Sequence, residues 1–173
     1  FEVTYKKLFD DVLILSRAFK AQKIEKGSKV MFLCDNRYEW MVTDLALVSL
    51  GAISIPRGLD TPTLELEFIM QHSEAQFLIV ENETTYNLHE EMISSLHLKS
   101  IFIVEAKKIH SLLSNLYSYN DILKDRVIHH DEIEAFIERK ALLDEDDIFT
   151  IIYTSGTTGT PKGVILTHKN IMH

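Results

Sequence analysis

A doubly wound α/β layer, with a mostly parallel sheet and helices on both faces, is the fold this sequence predicts. Three observations point to it. The short runs Val30–Leu33, Phe77–Val80 and Ile101–Val104 are continuously apolar, the pattern of strands covered on both faces. Segments with helical character separate them, as in crossover units. A further apolar run, Ile148–Ile152, leads directly into a stretch rich in glycine and threonine. Ligand loops of such sheets lie at the carboxyl ends of strands.

The elements follow in order along the chain. Thr4 is placed to cap a helix whose residues Leu8, Val12, Leu15 and Phe19 recur at helical spacing on one face. Gly27 ends that unit and Val30–Leu33 is the first strand. Asn36 is placed to cap a helix from Arg37 to Leu50 that is apolar on most sides, hence expected to be buried, with Gly51 closing it. Ala52–Ile55 reads as a short strand stopped by Pro56. Thr61-Pro62 reads as an N-cap with proline in the first helical position, starting a helix to His72. Phe77–Val80 is a strand, Asn82–Leu96 one helix, and Ile101–Val104 a strand. From Lys107 to Asp147 the chain is more polar and irregular. Within it Asp131–Leu143 reads as a helix with Ile133, Phe136, Ile137 and Ala141 roughly on one side.

Composition narrows the function classes. A chain of 173 residues suits one domain, and 46% hydrophobic with 25% charged residues is ordinary for a globular protein. The net charge of −8 argues against nucleic acid as a partner, because such binders present a basic face. It also argues against strong attraction to anionic lipid. No apolar stretch approaches the ~20 residues of a membrane-spanning helix, and residues 1–6 lack the basic-then-apolar pattern of a signal peptide. The single cysteine, Cys34, fits a reducing cytoplasm and reads as a buried structural thiol. A non-methionine start and an end within an apparent helix start are expected of a piece of a longer polypeptide.

The most informative segment is Tyr153-Thr154-Ser155-Gly156-Thr157-Thr158-Gly159-Thr160-Pro161-Lys162-Gly163. Small residues let backbone N–H groups approach an anion, and hydroxyls and an ammonium add donors. That is the chemistry of a polyphosphate cradle. It is not the common P-loop, G-x-x-x-x-G-K-[ST], because Thr160 and Pro161 separate Gly159 from Lys162 and Gly163 follows the lysine. The loop also opens into Val164–Leu166, a strand-like run, rather than a helix. An ordinary NTPase is disfavoured on this spacing. Taken without context, the alternative is a glycine-threonine hairpin with no ligand.

As an ordered string, however, the loop resembles the signature phosphate loop of the adenylate-forming, or acyl-activating, AMP-binding superfamily. Leu166-Thr167-His168 and Asn170 extend the match. So do Thr4-Tyr5, Lys26-Gly27, Asn36-Arg37-Tyr38-Glu39-Trp40, Gly51-Ala52-Ile53, Pro56 and His72-Ser73-Glu74-Ala75. The stretch from about Glu105 to Ala141 lacks landmarks. The segment around Trp40 and the Pro56-Arg57-Gly58 turn look most like the long-chain fatty acid–CoA ligase branch.

The resemblance implies that residues 1–173 are an N-terminal fragment of the AMP-binding (adenylation) domain. The remainder of the large domain and a C-terminal domain would be absent. It implies ATP-dependent activation of a carboxylic acid, taken as a long-chain fatty acid, to acyl-AMP with release of pyrophosphate. Transfer to the thiol of CoA would follow. The alternatives are another acid, a carrier-protein thiol as acceptor, or a fragment that folds without turnover. Thr154, Ser155, Thr157 and Thr158 would donate to the phosphates. Gly156 and Gly159 would let the backbone bend, and Lys162 would supply the catalytic positive charge. ATP, Mg2+ and CoA are the implied cofactors, with the magnesium ligand beyond His173. Membrane association would be at most a peripheral contact at the inner face.

Other residues carry two readings each. Trp40 reads as core rather than a substrate contact. Arg37 reads as a structural ion pair or a phosphate-steering charge, and Arg57 as exposed or ion-paired rather than a carboxylate clamp. His168 is either a helix-start residue packed on the sheet or a pocket residue, and Tyr153 ends its strand and packs. His129-His130 reads as a surface pair. Asp144–Asp147 reads as a solvated turn, with a divalent-metal site as the alternative.

Overall fold

The computed structural model describes residues 2–106, 114–154 and 160–172. Among them, helix α1 (Tyr5–Ala21), strand β1 (Lys29–Leu33), α2 (Tyr38–Ser49), β2 (Ile53–Arg57), α3 (Thr63–Ser73) and β3 (Phe77–Asn82) come first. There follow α4 (Glu83–Leu88), α5 (Glu90–Ser95), β4 (Ser100–Glu105), β5 (Leu116–Ser118), α6 (Tyr119–Ile122) and α7 (His130–Arg139). A 3-10 turn (Lys140–Leu142), β6 (Ile148–Thr154), β7 (Lys162–Thr167) and α8 (His168–Met172) complete the order. The seven strands form one sheet in the order β5-β4-β3-β1-β2-β6-β7. Every pairing is parallel except β6 with β7. The predicted doubly wound, mostly parallel architecture is therefore the one observed.

Alternation along each strand divides the core in two. Val30, Phe32, Phe77, Ile79, Phe102 and Val104 pack with α1 and α2 through Val12, Leu15, Phe19, Val42, Ala46 and Leu47. The intervening Met31, Leu33, Leu78, Val80, Ile101 and Ile103 pack on the opposite face with Leu66, Ile69, Met70, Tyr86 and Ile93. Each fully buried side chain of this size contributes roughly 1.5–3 kcal/mol through lost water contact. Phe32 also stacks on Trp40, with centroids 5.9 Å apart and planes at 20°. Trp40 is thus part of the packing, as expected.

Thr4 caps α1 as predicted, its hydroxyl accepting from the Lys7 N–H at 3.1 Å. Gly51 follows the end of α2 at φ +67°, a left-handed turn that glycine adopts without steric cost. Several boundaries differ from expectation. The N-cap of α2 is Arg37, not Asn36; it makes no side-chain cap bond, and its guanidinium is held instead by Glu39, Glu81 and Glu105. Helix α2 is less buried than predicted, with Met41 and Leu45 about 40% exposed. Thr61 does not cap α3. Its hydroxyl donates to the Gly58 carbonyl at 2.8 Å, and Pro62 takes the cap position.

Pro56 does not stop its strand, since β2 continues through Arg57. The N–H of Ile53 donates to Ser28 and the carbonyl of Arg57 accepts from Cys34, so these two face β1. By the two-residue period Ser54 and Pro56 face β6. The missing proline donor therefore falls where β2 and β6 share a single register pair, Ser54 with Thr150.

The predicted Asn82–Leu96 helix is two helices broken at His89. Turning the chain there buries the imidazole, whose Nδ1 lies 2.9 Å from the Thr63 hydroxyl. The supposedly irregular segment after Lys107 contains β5, which pairs with β4 from Leu116 to Ser118. Its next residue, Tyr119, is fully buried. In α7, which ends at Arg139 rather than Leu143, Phe136 packs edge-on to Phe9 and Ile137 is exposed, as is Ala141 in the 3-10 turn that follows. Asp11, unpredicted, is wholly buried on α1 and receives Lys7, Arg126 and the Tyr38 hydroxyl. Burial raises its pKa, but those three donors more than offset this and hold the carboxyl below its ordinary range.

Two predictions come from this core. Phe32→Ala removes a ring packed between strands and Trp40, and urea denaturation should register a loss of about 3–5 kcal/mol. Burial pushes the His89 pKa down from 6.5, so the unfolded chain takes up the proton first as pH falls. Stability is complete above about 6.5 and declines below it. Melting temperature between pH 7 and pH 5 should fall less steeply in His89→Gln than in the unsubstituted protein.

Candidate functional site

The glycine-threonine segment begins where β6 ends, at the same sheet edge as the carboxyl ends of β1, β2, β3 and β4. Its two ends meet across the β6–β7 hairpin, where Thr154 is the register partner of Lys162 and Tyr153 of Gly163. Thr154 and Lys162 are both exposed. Among the described residues no carboxylate pairs with Lys162. Ser155, Gly156, Thr157, Thr158 and Gly159 lie outside the described residues.

The base of the loop is held from three sides. Tyr153 is buried, and its hydroxyl shares a 2.7 Å hydrogen bond with Nδ1 of His72 on α3. The two rings meet edge to face at 5.8 Å. Burial pushes the phenol pKa up, so the hydroxyl keeps its proton. The Tyr153 backbone carbonyl accepts from Nη1 of Arg57 at 2.8 Å, and Nη2 of Arg57 pairs with Glu65 on α3. Gly163 completes the base. A Cβ at this position would stand 2.9 Å from Cγ2 of Ile151 and 3.2 Å from Cζ of Tyr153, so glycine lets β7 lie against these side chains.

Other predicted residues fall elsewhere. Arg37 sits at the carboxyl ends of β3 and β4, with Glu39 at 2.7 Å, Glu105 at 2.6 Å and Glu81 at 3.7 Å. The ion-pair reading of Arg37 is the one the structure supports. His168 starts α8 beside the beginning of β6, its ring edge-on to Phe149 at 5.3 Å. The length of β6, roughly 20 Å, separates it from the loop, so it is a packed helix-start residue. Cys34 is buried, and burial together with Glu81 raises its thiol pKa, which keeps it protonated. Asp144 and Asp147 form a self-capped turn, Asp144 N–H to Asp147 at 2.7 Å, and Lys26 pairs with Asp147 at 2.6 Å. Among the described residues there is no group of three or more His, Cys, Asp and Glu side chains able to hold a metal. Nor is any described helix long and apolar enough to cross a membrane.

Sequence reasoning missed Arg57 as a support of the loop. The available signal was Pro56: a proline in a central strand removes a ladder donor toward one neighbour, and a nearby side chain can supply one.

Comparison with known proteins bears on this arrangement. A family model described as AMP-binding enzyme matches residues 1–173. A chloroplastic long-chain-fatty-acid–[acyl-carrier-protein] ligase of Arabidopsis thaliana is 30% identical over 99% of this chain and 25% of its own length. A long-chain-fatty-acid–CoA ligase of Mycobacterium tuberculosis is 30% identical over 87% of this chain and 24% of its own. The chain thus spans about a quarter of the length of these relatives. Among solved structures, an anthranilate CoA ligase in complex with anthranoyl-AMP superposes with a TM-score of 0.77 at 24% identity. That match covers 98% of this chain and 30% of the other.

Gly163→Ala should force Ile151 and Tyr153 apart and lower stability by about 1–3 kcal/mol. Denaturant titration of the protein checks this, and an unchanged midpoint would refute the close-packing account.

Proposed function

The chain belongs to the AMP-binding enzyme family, and on that premise we propose that it is the N-terminal part of the adenylation domain of a fatty acid–thiol ligase. The substrate is a long-chain fatty acid. Its carboxylate oxygen attacks the α-phosphorus of ATP, the bond from that phosphorus to the β-phosphate oxygen breaks, and pyrophosphate leaves. In the second step the sulfur of CoA attacks the acyl carbonyl and AMP departs.

The observation that carries this reading is the exposed Lys162, with no carboxylate partner among the described residues, in register with Thr154 at the carboxyl edge of the sheet. A compact ammonium there suits a departing pyrophosphate, which gathers negative charge as its bond breaks. The hydroxyl and N–H groups of Thr154, Ser155, Thr157 and Thr158 are assigned to the phosphate oxygens, and Gly156 and Gly159 to close backbone approach. Magnesium accompanies ATP as counter-ion to the polyphosphate. With no metal-binding cluster among the described residues, no ligand to it is assigned to this chain.

The acid and the acceptor rest on the relatives. One is a ligase for CoA and the other for acyl carrier protein, at equal identity. A carrier-protein thiol is therefore the second reading. Supplying CoA or acyl carrier protein to the adenylate formed by the full-length protein distinguishes them.

In the full-length protein, Lys162→Ala should slow acid-dependent ATP–pyrophosphate exchange by roughly 10²–10³-fold, the usual effect of removing one transition-state donor. Exchange at the unsubstituted rate would remove Lys162 from the mechanism. Absence of exchange with every acid of a long-chain, short-chain, aryl and amino acid panel would reject the activity itself.

A further inference from the structure

We propose that Arg57 is a positioning residue that fixes Tyr153 and Thr154, the strand end from which the phosphate loop departs, by a side-chain hydrogen bond beyond the proline gap in the β2–β6 ladder. The inference rests on the phosphate-binding reading of the loop and deepens it.

Parallel strands normally exchange backbone bonds along their length. Between β2 and β6 only Ser54 and Thr150 are in register, reinforced by the Thr150 hydroxyl donating to the Ser54 carbonyl at 2.9 Å. Two residues further on, the backbone position facing β6 is Pro56, which has no donor. A ladder donor toward β6 is therefore missing near the end of β2. Beyond that gap Arg57 adds a side-chain tie. Its Nη1 donates to the carbonyl of Tyr153, two residues before Ser155, at 2.8 Å.

The guanidinium is itself aimed. Nη2 pairs with Glu65 on α3, and α3 also supplies His72 to the Tyr153 hydroxyl. A planar fork can serve two acceptors in a fixed geometry, which an ammonium cannot. The backbone and the side chain of Tyr153 are thus fixed by separate groups, both referred to one helix. Nε of Arg57 is shielded from solvent and meets no acceptor among the described residues. An unsatisfied buried donor is costly, so packing alone is a poor account of this arginine. Its consequence is orientation of Tyr153 and Thr154.

The test uses the full-length protein with Arg57→Met, Arg57→Lys and Glu65→Gln. Small displacements of a positioned group can cost ~10²-fold in rate. Arg57→Met should lower kcat for pyrophosphate exchange by about that factor, with KM for the acid unchanged and a melting temperature close to that of the unsubstituted protein. Amide hydrogen exchange should accelerate at residues 151–154 and not across β1, β3 and β4. Arg57→Lys should recover part of kcat. Glu65→Gln, which leaves the arginine in place, should show a smaller effect of the same kind and serves if Arg57→Met fails to fold.

Full activity in Arg57→Met overturns the proposal. So does a loss of activity accompanied by faster amide exchange throughout the sheet, which would mark a merely structural role. If the unsubstituted protein exchanges pyrophosphate with no acid, the functional reading fails instead. Amide exchange at 151–154 then still decides whether Arg57 anchors the strand.

Discussion

The structure depends on parallel strands that must be covered on both faces. Strands β1, β3 and β4 have no solvent side, so each places successive side chains into different cores. Phe32, Phe77 and Phe102 meet α1 and α2, while Leu33, Leu78 and Ile103 meet α3, α4 and α5. Crossover connections are the price of that arrangement, and they bring the carboxyl ends of β1, β2, β3, β4 and β6 to one edge. The position of the loop follows from this constraint rather than from any property of its own residues.

At that edge the charges are deployed in two ways. Arg37 lies among Glu39, Glu81 and Glu105, which neutralise it and tie the start of α2 to the ends of β3 and β4. Lys162 has no such carboxylate among the described residues. Since ion pairing satisfies a cation before any ligand arrives, only the second arrangement leaves a charge available to an anion. Two basic residues of similar apparent promise thus differ in role because of their neighbours.

The junction of β2 and β6 links fold to site. A proline removes one ladder donor shortly before the loop begins, and side chains from β2 and α3 add ties of their own to Tyr153. Gly163 permits β7 to lie against Tyr153 from the other side. The strand that delivers the loop is therefore set by a guanidinium, an imidazole and a glycine, each acting on one residue.

The α/β class, the central strands and the Thr4 cap were legible in the chain because apolar runs and a local hydroxyl-to-N–H bond depend on neighbours in sequence. The candidate loop stood out for the same reason, as eleven consecutive residues with their own chemistry, of which the structure describes the two ends. What escaped was decided by partners distant in sequence. A three-residue strand has too little pattern to announce itself, and β5 exists because β4 offers it a ladder. The break at His89 and the burial of Asp11 each answer to side chains elsewhere in the fold. Arg57 is the sharpest instance: the sequence placed it in a turn, and only the approach of β6, 96 residues later, gave its guanidinium a carbonyl to hold.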